Sequence, residues 1–335
     1  MASSVERRES ESGSRVSVRF SFGLHNVDNL GSIPGLKENI RDFFSNNDIN
    51  IYVFETPNTL KSRAEAFNRN FSRSKSVKDA SLHTSLFPRL GRPPTEQEKD
   101  IWFKNLLDNP EQAFYTRHYL MLDELLADGL DFDVRLETAP EEAGVRLDKK
   151  WNSINGDAAR SRRIAGKGDF NEAIKQYRKF LNACSPIQRE REMHILDQIA
   201  QLAQEGLGIS DRVKIFYRIG VAHQELFDQL LARDLPDSDI EKSYDIYPPY
   251  NTLEAQALRR LVNGEQLSNE DIAHAFIGLL TLQIQDGFVG DPSAIQARRK
   301  RINTSILQLS MEEMKALVRK IPRLGLEEAL KPLFT

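Results

Sequence analysis

Apolar and polar residues alternate from Arg15 to Phe22, with Val16, Val18, Phe20 and Phe22 on one side, and this period of two predicts a strand that ends at Gly23, Leu24 and His25. Between residues 34 and 45 the period changes: Leu36, Ile40, Phe43 and Phe44 recur at helical spacing, Pro34 suits the first turn, and Asn46, Asn47 and Asp48 stop the helix. The run Ile49 to Phe54 then predicts a buried strand that closes on Glu55 ahead of Pro57. These three segments make a β-α-β unit.

Residues 58–94 carry weak periodicity and many Arg, Lys, Ser and Asn, which predicts an insertion with partial helix. Helices are expected from Thr95 to about Leu107 and from Pro110 to Asp128, then a strand from Asp131 to Glu137. Residues 151–183 and Pro186 to Glu205 read as two helices, with Gly206 and Gly208 ending the second. The stretch Gly168 to Tyr177 looks like part of a tetratricopeptide helix pair, but no second copy follows at a repeat period, so the likeness is read as chance. Val213 to His223 is the next strand and Gln224 to Arg233 the next helix. A short strand is expected within Ile240 to Ile246, and helices start at Thr252, Ser268 and Pro292; Ser268 with Asp271 has the form of a capping box.

Strands alternating with helices imply an α/β fold: a mostly parallel sheet covered by helices on both faces, with a helical C-terminal region. The expected organisation is a disordered tail over 1–14, an α/β catalytic-type domain over 15–235 with the insertion at 58–94, and a mainly helical region over 236–335.

Composition narrows the partners. Lys and Arg number 46 against 49 Asp and Glu, for a formal charge of -3, which gives no electrostatic reason to expect nucleic acid. No stretch has the length of a membrane span or the apolar core of a signal peptide, so a cytoplasmic protein without a membrane partner is expected. One cysteine, Cys184, excludes an internal disulfide and any multi-cysteine metal site; it has no neighbour of catalytic form and reads as an inert thiol.

In a parallel sheet, ligands bind beyond the carboxyl ends of the strands, where loops and helix N-termini converge. Here those ends carry His25, Glu55, Glu137 and His223. Any one of them, taken alone, is more often a loop residue or a helix cap. Their recurrence on one expected edge points to chemistry. Two imidazoles and a carboxylate can hold a divalent ion that acidifies a bound water. The same set can work without metal, a neutral His taking a proton from water while a carboxylate orients it.

The motifs resemble those of the superfamily that contains erythromycin esterases, the ChaN-like haem-uptake proteins, and the TraB and Tiki type metalloproteases. Gly220-Val221-Ala222-His223 matches the second of two G-x-x-H motifs, Val53-Phe54-Glu55 resembles the glutamate motif, and Gln188 to Met193 resembles the arginine motif, in which Arg189 takes the arginine's place. The first motif reads Phe22-Gly23-Leu24-His25, with its glycine one residue closer to the histidine. The likeness spans roughly residues 15–235 and leaves the insertion and the C-terminal helices without a counterpart.

The resemblance implies a hydrolase, peptidase-like or esterase-like, with His25, Glu55 and His223 as ligands of a divalent manganese, cobalt or zinc ion and Arg189 stabilising negative charge. Its expected partner is a small-molecule or peptide substrate; apart from the resemblance, the basic insertion and the C-terminal helices could engage a protein partner. Two alternatives stay open: a metal-independent esterase with His as general base, and a non-catalytic binding or regulatory protein. His118, His194 and His274 fall within helical patterns and read as structural or surface residues, His83 could reach a site only from the insertion, and Arg298 to Arg301 read as a solvated face.

Overall fold

The computed structural model describes residues 6–7, 15–23, 33–44, 48–55, 61–220, 223, 225–233, 235, 237–244, 252–285 and 292–334. His25 lies outside them, as does the expected junction around it. In chain order the elements are β1 (Glu6–Arg7), β2 (Val16–Gly23), α1 (Ile33–Phe43), β3 (Ile49–Phe54), α2 (Lys61–Ser74), α3 (Val77–Ser85), α4 (Phe87–Leu90), α5 (Glu96–Asp108), α6 (Pro110–Ala127), β4 (Asp133–Leu136), α7 (Glu141–Ala165) and α8 (Phe170–Leu207). Then come β5 (Val213–Gly220), α9 (Glu225–Ala232), β6 (Ser238–Tyr244), α10 (Leu253–Val262), α11 (Asn269–Gln285), α12 (Pro292–Leu307), α13 (Met311–Leu324) and α14 (Leu326–Leu330).

The fold is α/β. Five parallel strands run in the order β6-β2-β5-β3-β4, and the two-residue β1 pairs antiparallel with the outer side of β6. Strand β5, the fourth of the parallel strands in the chain, lies between the first two, with Val16 and Ile49 both in register with Val213. The chain therefore lays down β2, β3 and β4, returns to fill the centre with β5 and ends outside β2 with β6, and the crossovers place helices on both faces.

Side-chain alternation assigns each face. Val16, Val18, Phe20 and Phe22 of β2, Ile51 and Val53 of β3, and Val213, Ile215, Tyr217 and Ile219 of β5 pack with Ile195, Leu196 and Ile199 of α8 and with Leu226 and Leu230 of α9. Tyr52 and Phe54 of β3, Val134 and Leu136 of β4, and Phe216 of β5 pack on the opposite side with α1, α2, α3 and α6. A one-residue slip of any central strand would exchange the two sets, so the two cores fix the register together. On the α1 side the core has a polar lining: Arg19 donates to Glu241 through Nε at 2.9 Å and to the Asn39 carbonyl through Nη1 at 3.0 Å, and lies 4.6 Å over the Phe43 ring.

The insertion at 58–94 is more regular than its composition suggests, because Ala64, Phe67 and Phe71 give α2 a buried stripe at helical spacing, and Asp123 accepts from the first backbone N–H groups of α3 at Val77 and Lys78. The two helices expected across 151–183 and 186–205 are also different in kind. α7 begins at Glu141, and α8 is one helix of 38 residues that continues through Pro186. Proline removes one backbone donor; buried Cys184 and Ile187 on either side of it hold the helix together.

Contacts divide the chain into two units, Met1–Val145 with Glu192–Pro249, and Arg146–Arg191 with Tyr250–Thr335. The first holds the sheet. It keeps β6, beyond the expected boundary at 235, and gives up residues 146–191 to the helical unit. Of the tail expected to be disordered over 1–14, the described part, Glu6–Arg7, pairs with β6. The helical unit is built around α11, in which residues 272–281 are all buried, and its α10–α11 turn carries the capping box read from Ser268 and Asp271. Among the described residues no helix is long and apolar enough to cross a membrane.

Candidate active site at the carboxyl edge of the sheet

Strand β3 ends at Phe54, whose side chain belongs to the α1-side core, so alternation turns Glu55 to the α8 side. Its backbone N–H extends the ladder to the Arg218 carbonyl at 3.0 Å, and its Oε2 accepts from the Gly220 backbone N–H at 2.5 Å. The carboxylate thus spans from the end of one central strand to the end of its neighbour.

His223 stands three residues beyond the end of β5, not within it, and is 3% exposed. Its Nε2 is 3.6 Å from Glu55 Oε1, and its Nδ1 is 3.3 Å from Glu192 Oε1. Glu192, also 3% exposed, comes from α8, and its other oxygen accepts from Gln229 Nε2 of α9 at 3.3 Å. The imidazole is held between two carboxylates from different elements. Nδ1 is within hydrogen-bond reach of Glu192, which selects the tautomer with the proton on Nδ1 and leaves the Nε2 lone pair on the Glu55 side. When Nε2 takes a proton, both carboxylates stabilise the charge that results. This is the arrangement of a general base backed by an orienting carboxylate.

Glu192 was missed at the level of sequence. It sits inside the stretch quoted for Arg189, three positions on, but its role depends on which turn of a long helix faces β5, and spacing alone does not give that. Arg218 was missed too. It is fully buried in β5, in register with Ser21, and its Nη1 donates to the Ile219 carbonyl at 2.9 Å. A charged residue in the apolar middle of the strand, after Ile215, Phe216 and Tyr217, was the available signal.

The other expected members are distributed as follows. Arg189 belongs to the helical unit, where its guanidinium donates through Nε, at 3.0 Å, and through Nη2 to the Val262 carbonyl. Glu137 is 8% exposed and follows Leu136 as Glu55 follows Phe54 on the adjacent strand; its backbone N–H donates to the Phe54 carbonyl at 3.1 Å. The end of β4 is braced from α8 by Gln198, which donates to the Leu136 carbonyl at 2.9 Å and accepts from the Thr138 N–H at 3.3 Å. His83 is exposed on α3. His118 meets the Tyr52 hydroxyl at 2.6 Å inside the core, and His274 meets the Leu309 carbonyl at 2.9 Å. Burial pushes the Cys184 thiol up to about 12, with the nearby Glu254 charge adding to the effect, so the thiol stays protonated and inert.

A divalent ion asks for about three protein ligands on one point. Glu55 Oε1 and His223 Nε2 face each other, while Glu192 lies at the other ring nitrogen. Among the described residues no group of three His, Cys, Asp or Glu side chains could hold a metal ion. The described members of the expected ligand set are Glu55 and His223; His25, the third, lies outside the described residues.

Compared with protein-family models, with curated proteins and with solved structures, the chain has no match.

Proposed function

We propose that this protein is a hydrolase, acting on an ester or peptide bond, in which His223 activates water as a general base. The observation that supports this reading is the line Glu192–His223–Glu55, with the histidine nearly buried and one carboxylate at each ring nitrogen. Glu192 orients the ring and stabilises its protonated form; Nε2 takes the proton from water as the oxygen attacks the carbonyl carbon; the same proton then passes to the leaving group. Glu55, fixed by the Gly220 N–H, positions the water and balances the charge on the ring.

The test is hydrolysis of a panel of activated aryl esters and short peptides by the wild-type protein and by His223→Ala and Glu192→Gln. The wild type should turn over at least one class. His223→Ala should lose about 100-fold or more with the fold intact by circular dichroism, and Glu192→Gln should lose less and change the pH profile. Undiminished turnover in His223→Ala would remove the histidine from the mechanism. The second reading, a non-catalytic binding protein, is favoured by the tie between Glu55 Oε2 and Gly220, which commits that oxygen to the backbone; on that reading the wild type is inert across the panel.

A further inference from the structure

On the first unit, one stripe of α2 faces the edge strand β4 across a groove of about 430 Å³, lined by Glu65, Asn68, Arg69, Ser72, Arg73 and Arg135. The groove is shallow and open to solvent, so a ligand there would be held by charge and hydrogen bonds rather than by enclosure. Three guanidinium groups meet one carboxylate in this lining. The imbalance is local: α2 carries Lys61, Arg63, Arg69 and Arg73 against Glu65 alone, in a chain whose formal charge is -3.

Little holds these arginines to other parts of the protein. Arg73 is exposed and has no ion-pair partner among the described residues. Arg69 Nη1 is 3.9 Å from Glu65 Oε2, beyond hydrogen-bond distance, with both side chains more than half exposed. Arg135 pairs with Asp133 through Nη2 at 2.6 Å, while its buried Nε has no hydrogen-bond partner. The exposed Arg69–Glu65 pair contributes little, and a guanidinium has five donors in a fork that leaves some free for an oxyanion even where, as at Arg135, one group is already paired. Asn68 and Ser72 add polar groups between the arginines, which an anion carrying a hydroxyl or a second oxygen can use.

We propose that this groove is a binding site for a small phosphate-bearing anion, a phosphate monoester or diphosphate, gripped by Arg69 and Arg73 from the helix and by Arg135 from the strand. Two arginines a helical turn apart with a third facing them span a dianion from two sides. The inference does not depend on the hydrolase reading.

The experiment titrates the full-length protein with inorganic pyrophosphate by calorimetry at constant ionic strength. Four proteins are compared: wild type, Arg69→Gln/Arg73→Gln, Arg135→Gln, and Arg63→Gln, which changes an exposed arginine of the same helix outside the groove. Wild type should bind saturably at one site, the two groove variants at least about tenfold more weakly, and Arg63→Gln within about twofold of wild type. Circular dichroism keeps loss of fold separate from loss of binding, and the double variant lies on an exposed helix face where folding is least at risk. No saturable binding by wild type, equal weakening in Arg63→Gln, or unchanged binding in the groove variants would each overturn the proposal. So would affinity for oligonucleotides that rises with their length while pyrophosphate binds only diffusely.

Discussion

A histidine with a carboxylate at each ring nitrogen responds to either carboxylate separately. Removing the charge of Glu192 while keeping its shape, as Glu192→Gln, should change which ring nitrogen of His223 carries the proton, read from its ring nitrogen shifts by NMR. No change would mean that the contact at 3.3 Å does not govern the ring's proton. At this scale the sequence was legible in part. Strand-end position singled out Glu55 and His223 because a run of apolar residues stops there. Glu192 and Arg218 stayed hidden for opposite reasons: one is a polar residue in a polar helical stretch, and the other is a charge in a central strand flanked by β2 and β3.

Elements are constrained where backbones approach. A Cβ added to Gly206, near the end of α8, would lie 2.5 Å from Val213 Cγ2 at the start of β5. Gly206→Ala must therefore push the helix end off the strand, and it should cost about 1–3 kcal/mol in denaturant unfolding. A change below about 0.5 kcal/mol would show that the junction yields easily. The helix ends where its glycines predict, at Leu207 directly before Gly208, and Gly206 inside its last turn also lets that turn pack close to Val213. Pro186, by contrast, misled. A proline is a sound reason to end a helix when only local chemistry is weighed, but buried residues on both sides of it keep α8 whole. The strands were read more accurately, because period two and its β-branched and aromatic residues survive in tertiary context.

For the molecule as a whole, class and sheet type followed from alternating strands and helices, while the division into units did not. Residues 146–191 join the C-terminal helices in one unit and residues 192–249 return to the sheet, an exchange that depends on contacts far apart in the chain. The helical unit also contains a group that ties its stability to pH. Burial raises the Glu254 carboxyl to about 7, against a partial opposing effect of Arg162. A carboxyl raised in the folded state gives its full stability below the unfolded value, near 4.5, and loses it as pH climbs through about 7. Unfolding free energy should thus fall by on the order of 3 kcal/mol as pH rises from below 4.5 to above 7, and Glu254→Gln should flatten that part of the profile. Equal pH profiles for the two proteins would contradict the assignment.

The position of β5 has a consequence for how the chain is made. β2 and β3 emerge early but do not pair with each other; the strand that joins them begins about 200 residues after Val16, in register with it. Until then the two early strands have exposed edges toward the gap, and contacts this distant in sequence slow folding. During synthesis the sheet can close only after most of the protein has left the ribosome, and Glu55 meets His223 in that same late step. A nascent chain halted before Val213 carries Glu55 and Glu192 but neither the central strand nor the histidine between them.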